Sequence, residues 1–365
     1  MRRTGIAELP LHHGRAPPWL FKRMVKLSRA IADYIVYEYG EAELIRRLAS
    51  PAWFQALACA LGFDWHSSGT TTTTTGALKL AISPEEHGIA VAGGKGRASR
   101  RAPEEIGELA EVLGLSPPRE EELIRASRLS AKVDNACVQD GYTLYHHAFF
   151  FTSRGEWCVV QQGMRERYAR RYHWLSEGVE SFTREPHAGI ASERREEGVL
   201  NLVAREGEEV RKTSVDLVRD NPLKLRRYLG GQLTLDHAVQ ELALPARHEL
   251  RRVDISEQGW RALMRAHELQ PASYEELVAL RGLGAKTLRA LALLSELLFG
   301  AECSWRDPAK YAFAHGGKDG IPYPVDREAY DRSISLLREA LEEAKLGKRE
   351  KYRAIARLSS FLTQE

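Results

Sequence analysis

The chain has 365 residues, enough for two or three cores, and its 43% hydrophobic and 28% charged residues are an ordinary balance for a soluble globular protein. A formal charge of +3 does not announce a polyanion partner, and four widely spaced cysteines, Cys59, Cys137, Cys158 and Cys303, form no CxxC pair, which argues against a zinc ribbon or disulfide framework. No apolar run reaches the ~18 residues of a membrane span and no signal-peptide core is present, so a cytoplasmic protein with no membrane partner is the expectation.

Residues 1 to 205 mix helical and strand patterns. "LPLHHG", with His12 and His13, precedes Pro17 and Pro18 and the segment "WLFKRMVKLSRAIADYIVYEYG", whose apolar spacing and terminal Gly40 predict a basic amphipathic helix. Helical periodicity returns from Glu41 to Leu61. The island "DWHSSGTTTTTTGALK" reads as a threonine-rich loop or strand edge, β-branched and polar together. "HGIAVAG" is a short strand followed by the basic stretch that holds Lys95, Arg97 and Arg100. It is not a P-loop: counted from Gly88, the lysine is one residue late and Gly96 stands where a hydroxyl is needed. A basic loop reaching for nucleic-acid backbone is the expectation there, followed by a helix over Glu104 to Leu113.

"YHHAFFFTSRGEWCVVQQ" predicts a β-hairpin, with aromatic and β-branched flanks around a Ser153-Arg154-Gly155 turn. If Phe151 pairs with Glu156, His146 lies opposite Gln161 and shares a face with Phe150 and Trp157, while His147 shares the other with Phe149 and Gln162. Whichever face is buried then carries a histidine and an amide, groups that need partners or serve a site. Arg165, Arg167, Arg170 and Arg171 follow.

From about Arg205 the patterns are all helical, broken by "CSWRDPAKYAFAHGGKDGIPYPV", an excursion rich in Gly, Pro and aromatics. The expected architecture is α+β: an α+β domain over residues 1–205 with a small, mostly antiparallel sheet, and an all-α domain over residues 206–365.

Within the helical half, "YEELVALRGLGAKTLRALALLSELLFG" resembles the helix-hairpin-helix DNA-binding motif, with Leu280, Gly282, Gly284, Lys286 and Thr287 in the hairpin and following helix start. The resemblance implies phosphate contact by backbone amides and lysine, which reads no base sequence. The same segment is similar to base-excision glycosylases of the endonuclease III class; that likeness implies an attacking lysine at Lys286 and an aspartate at Asp326 in "PYPVDREAYD", though the interval between them is stretched. Over nearly its full length, in "RTGIAELPLHHGRAPPWLF", "HHAFFFTSRGEWCVVQQGM" and "DPAKYAFAHGGKDGIPYPVDREAYD", the chain resembles a prokaryotic family common in archaea and thermophiles and known mainly as a domain of unknown function. It resembles helix-hairpin-helix DNA repair proteins in that respect, which implies a role on DNA.

If the helical half holds DNA, the α+β half is free to act on it. Phosphodiester hydrolysis needs an activated nucleophile and a charge to offset the phosphorane. His146 and His147, with Gln161, Gln162, Asp140, His12 and His13, are the expected catalytic residues. Asp134, Asp140 and Glu156 are the expected oxygen ligands for Mg²⁺ or Mn²⁺. The expected function is a metal-dependent, structure-selective DNA nuclease acting on duplex, junction or bubble DNA, and a homo-oligomer is compatible with it. The alternatives are a glycosylase or AP lyase using Lys286 and Asp326, and a non-catalytic DNA-binding protein.

Overall fold

The aromatic hairpin lies at the centre of the molecule because both of its faces are apolar along most of their length. The computed structural model describes residues 16–62, 69–166, 168–192, 194–220, 222, 255–312, 327–344 and 347–362. Its described strands are β1 (Ile89–Lys95), β2 (Val138–Gln139), β3 (Thr143–Thr152), β4 (Trp157–Arg165), β5 (Tyr168–Leu175), β6 (His187–Ser192), β7 (Leu200–Asn201) and β8 (Tyr311–Ala312). Six of them form one sheet in the order β1-β3-β4-β5-β6-β8, antiparallel except for the β6/β8 pair, and β2 pairs with β7.

The helices are α1 (Pro18–Tyr39), α2 (Glu41–Ala49), α3 (Pro51–Leu61), α4 (Gly69–Ala81), α5 (Pro84–His87), α6 (Arg97–Arg100), α7 (Ala102–Val112), α8 (Pro117–Ala136) and α9 (Glu208–Asp220). They continue as α10 (Glu257–Leu269), α11 (Tyr274–Ala279), α12 (Ala285–Phe299), α13 (Arg327–Glu343) and α14 (Lys348–Leu362). Helix and sheet together make the α+β architecture expected. Ser50 and Pro51 divide the expected 41–61 helix in two: the Ser50 hydroxyl accepts from the Trp53 amide and caps α3.

Two cores lie on opposite faces of the sheet. One gathers Phe149, Phe151, Trp157, Val159 and Trp174 beneath α7 and α8, and continues into Val215, Leu263, Leu277 and Leu291 of α9 to α12. The other gathers Ala148, Phe150, Cys158 and Val160 beneath α1 to α4, and includes Leu337, Leu341 and Leu358 of α13 and α14. Each core therefore takes residues from both sides of position 205, so that position separates helix-rich from mixed sequence without dividing a core. Each fully buried Phe or Leu removed from water contributes about 1.5–3 kcal/mol, which makes the sheet a shared floor for both layers.

The hairpin register differs from expectation by one residue. Phe151 pairs with Trp157, and Ser153 to Glu156 form the connection, closed by a 2.9 Å bond from the Thr152 amide to the Glu156 carbonyl. Gly155 sits at φ +84°, a conformation that favours glycine. The reason is packing: Trp157 stacks on Phe149 and Phe182, on the α8 side, while the smaller Cys158 fits beneath the opposite helices. His146 thus pairs with Gln162 and His147 with Gln161, and a bulge between Leu144 and His146 precedes them.

The threonine island is another correction. Gly69 onward forms the helix α4, in which Thr72 bonds the Gly69 carbonyl at 3.1 Å and Thr75 the Thr71 carbonyl at 2.8 Å. Threonine's weak helix propensity is overridden by burial of Thr70, Thr71, Thr74 and Thr75. The basic stretch after β1 is likewise no extended loop: it folds at once into α6 and α7.

Candidate functional site

At one end of the sheet the side chains turn polar on both faces. Across β3, β4 and β5 the pairing lines up His147, Gln161 and Tyr172 on the α8 face and His146, Gln162 and Arg171 on the other. Gly93 lets β1 complete this end: a Cβ there would stand 2.2 Å from the His147 carbonyl oxygen. Lys79 holds the Gly93 carbonyl at 2.8 Å, and Glu105 accepts the Gly93 amide at 2.9 Å.

On the α8 face the polar groups form one chain of hydrogen bonds. Ser127, Ser130 and Asp134 follow helical spacing and share the face of α8 turned to the sheet. His147 Nε2 lies 2.9 Å from Ser127 Oγ, and His147 Nδ1 lies 2.8 Å from Gln161 Oε1. Gln161 Nε2 donates to the Ser130 carbonyl at 3.1 Å and to Asp134 Oδ2. Trp174 Nε1 donates to Asp134 Oδ2 at 2.9 Å, and His187 Nε2 to Asp134 Oδ1. Burial lowers the pKa of His147, opposed by the Gln161 bond and the Asp134 charge. The imidazole is therefore neutral at pH 7.

A cleft of about 860 Å³ opens at this end, lined by Arg100, Ser127, Arg128, Lys132, Asn135 and His147, with Glu104 and His146 also in its wall. Arg100 comes from α6 and the next four from α8. Three cations, Arg100, Arg128 and Lys132, and one acid, Glu104, line it together with the imidazole of His147 and the hydroxyl of Ser127.

On the opposite face, Thr75 Oγ1 meets His146 Nε2 at 2.9 Å, and Gln162 bonds Thr71 Oγ1 and the Tyr145 hydroxyl. Thr75 gives its own proton to the Thr71 carbonyl, so His146 Nε2 is the donor and Nδ1 is left with a bare lone pair and no partner among the described residues. Burial, reinforced by His147 and Lys95, pushes the His146 pKa down to about 3. Arg171 donates to His173 Nε2 at 2.8 Å, Gln55 Oε1 at 3.2 Å and the Pro51 carbonyl at 3.3 Å, with its guanidinium 4.6 Å over Phe54. Burial lowers its pKa to about 9.

The remaining expected residues fall in several places. Asp140 accepts from Arg170 at 3.0 Å and from the Tyr172 hydroxyl at 2.7 Å, and Arg170 is also bonded bidentately by Asp307. That buried pairing makes Asp140 a structural counterion and not a free catalytic group. The three expected metal ligands do not converge: Asp134 is occupied by Gln161, Trp174 and His187, Asp140 by Arg170, and Glu156 bonds Thr152 at the far hairpin turn. Among the described residues no group of three His, Cys, Asp or Glu side chains is placed to hold a metal ion. Those carboxylates therefore do not fit a shared Mg²⁺ or Mn²⁺ site. His12, His13 and Asp326 lie outside the described residues.

Lys95, Arg97 and Arg100 are exposed at the end of β1 and on α6, as a backbone contact requires. Gly282, Gly284 and Lys286 are exposed too, whereas Thr287 is buried with its hydroxyl against Gly259, so it is a packing residue. Ser127, Arg128, Lys132 and Asn135 escaped the sequence reading, although the spacing of Ser127, Ser130 and Asp134 on one helical face was a usable signal. No helix among the described residues is long and apolar enough to cross a membrane.

No curated protein and no solved structure matches the chain. A family model described as a protein of unknown function, DUF763, matches residues 5–325. Because that match spans most of the 365 residues, both polar rows and the cleft included, the chain belongs to the DUF763 family.

Proposed function

We propose that the chain binds the DNA backbone and hydrolyses a phosphodiester in the cleft over His147, as a structure-selective nuclease. The observation that carries this reading is the cleft itself: Arg100, Arg128 and Lys132 line it beside His147, a neutral imidazole that already meets the Ser127 hydroxyl. Cations there neutralise phosphate oxygens, and a neutral imidazole can take a proton near pH 7.

The hairpin between α11 and α12 supports the same partner. Gly282 has φ +97°, Gly284 precedes the first residue of α12, and Lys286 stands exposed in its first turn, the form expected of a helix-hairpin-helix phosphate contact. Gln139 Nε2 donates to the carbonyls of Ala136 and Ala285, tying this helix start to the end of α8, the helix whose Lys132 and Asn135 wall the cleft. Contacts of this kind address backbone shape and not base sequence.

The test is cleavage of end-labelled single-stranded, duplex, bubble and abasic DNAs with Mg²⁺, Mn²⁺ or chelator, for the wild type, His147→Ala and Lys132→Glu. Cuts in undamaged DNA that are lost in His147→Ala support the reading. Cuts confined to abasic DNA and trapped by borohydride would move the chemistry to Lys286, and tight binding without cuts under any condition would leave a DNA-binding protein.

A further inference from the structure

Two buried hydroxyls touch the adjacent histidines, and they differ in where their protons point. Thr75 donates to the Thr71 carbonyl at 2.8 Å and so only accepts from His146. The buried Ser130, Ser214 and Ser295 likewise donate to carbonyls of their own helices, at 3.1, 2.7 and 2.8 Å. Ser127 does not share that arrangement.

The direction of its bond is set from the far end of the chain. The Ser130 carbonyl and Asp134 Oδ2 only accept, so the nitrogen of the Gln161 amide must face them. Gln161 Oε1 then faces His147 Nδ1, which must carry the proton, and His147 Nε2 presents its lone pair to Ser127. Ser127 Oγ–H is therefore the donor. Hydroxyl, imidazole and orienting groups stand in the order of an activated serine, with a carboxamide inserted between imidazole and carboxylate.

We propose that Ser127 is the nucleophile of the cleft, with His147 as its general base and Gln161 and Asp134 as positioning residues. The inference rests on the phosphodiesterase reading. In the step it assigns, an Oγ lone pair of Ser127 forms the bond to phosphorus while its proton passes to His147 Nε2. The bond from phosphorus to the leaving sugar oxygen breaks, and that oxygen takes the proton back from Nε2. Water then attacks the phosphoserine and gives a proton to Nε2; the Ser127–phosphorus bond breaks and Ser127 recovers the proton. Arg128 and Lys132, on the same helix and in the same cleft, are placed to offset charge on the phosphoryl oxygens.

The test uses a fluorophosphonate probe on the full chain, read by intact mass and peptide mapping, beside the DNA cleavage assay. In the labelling step Ser127 Oγ bonds to phosphorus, fluoride leaves, and the proton goes to His147. One adduct on Ser127 is expected in the wild type, absent in Ser127→Ala, and slowed about 100-fold or more in His147→Ala. Cleavage by Ser127→Ala should fall about 1,000-fold while its DNA affinity stays within twofold, and a Gln161→Leu variant should shift the pH profile of labelling. An unlabelled wild type together with a Ser127→Ala variant that cuts at the wild-type rate would overturn the assignment and leave the nuclease reading standing. Labelling of Ser127 without cleavage of any DNA would overturn the nuclease reading and keep the activated serine.

Discussion

The two faces of the sheet's polar end are built from like residues and reach opposite results. On the α8 face, His147 has both nitrogens engaged and its chain of bonds ends in the carboxylate of Asp134, beneath an open basic cleft. On the other, His146, which also lines that cleft, has one nitrogen engaged and one bare, and the row ends in the guanidinium of Arg171 beneath α3 and α4. The difference teaches that a histidine beside an amide is not itself a site. What distinguishes the two rows is the group that sets each tautomer: the Gln161–Asp134 chain for His147 and the Thr75 hydroxyl for His146.

The largest effect that would break this comparison lies at Asp134. Asp134→Ala should leave the ring donors of Trp174 and His187 without an acceptor in a dry interior, and Gln161 with the Ser130 carbonyl alone, and destabilise the protein by about 3–5 kcal/mol, measured by urea unfolding. Arg170→Ala should act on a similar scale by stranding Asp140 and Asp307, but without altering the fluorophosphonate reactivity of whatever folded fraction remains.

Acid comes next. His146, His147 and His173 all have folded pKa values below the ordinary histidine value, chiefly through burial. The unfolded chain therefore binds more protons below about pH 6.5, and stability that is fully present above that value is lost as pH falls toward the folded pKa values. Each histidine held neutral contributes roughly 1.4 kcal/mol per pH unit in that window. Urea midpoints at pH 7, 6 and 5 should fall steadily, and His147→Gln should flatten the slope. A flat profile would mean that these histidines are charged in the folded protein.

A smaller effect separates the histidines themselves. His147→Ala removes two hydrogen bonds and leaves Ser127 and Gln161 unsatisfied, whereas His146→Ala removes one, so the first should be less stable by about 1–2 kcal/mol. Equal losses would mean that the bare Nδ1 of His146 has a partner. Smallest in stability are the cleft cations: Arg128→Ala and Lys132→Ala should change stability by less than about 0.5 kcal/mol. Each should still lower the salt dependence of DNA binding by about one unit of slope, read by titration at several salt concentrations.

The hairpin was legible in the sequence because aromatic and β-branched runs flank a glycine turn, and its two His/Gln rows could be anticipated from strand alternation. Its register was not, because Trp157 chooses a face by stacking on Phe182, a partner more than two dozen positions away in the chain. The threonine helix was hidden by the same residue chemistry that favours strands. Ser127 shares helical spacing with Ser130 and Asp134, but that spacing shows only a common face; the contact with His147 comes from the fold.

By itself the sequence determined the α+β composition, the strands rich in aromatics, the glycine hairpin before α12 and the clustering of basic residues near β1. Those are local properties: periodicity, turn chemistry and charge act within a few residues. Only the tertiary structure decided which partner each carboxylate takes, which histidine is linked through an amide to a carboxylate, and that helices from both halves of the chain cover both sides of one sheet. Such outcomes depend on burial and on hydrogen bonds between distant residues, where an apolar ring fixes the register and a carboxylate fixes the proton of an imidazole two bonds away.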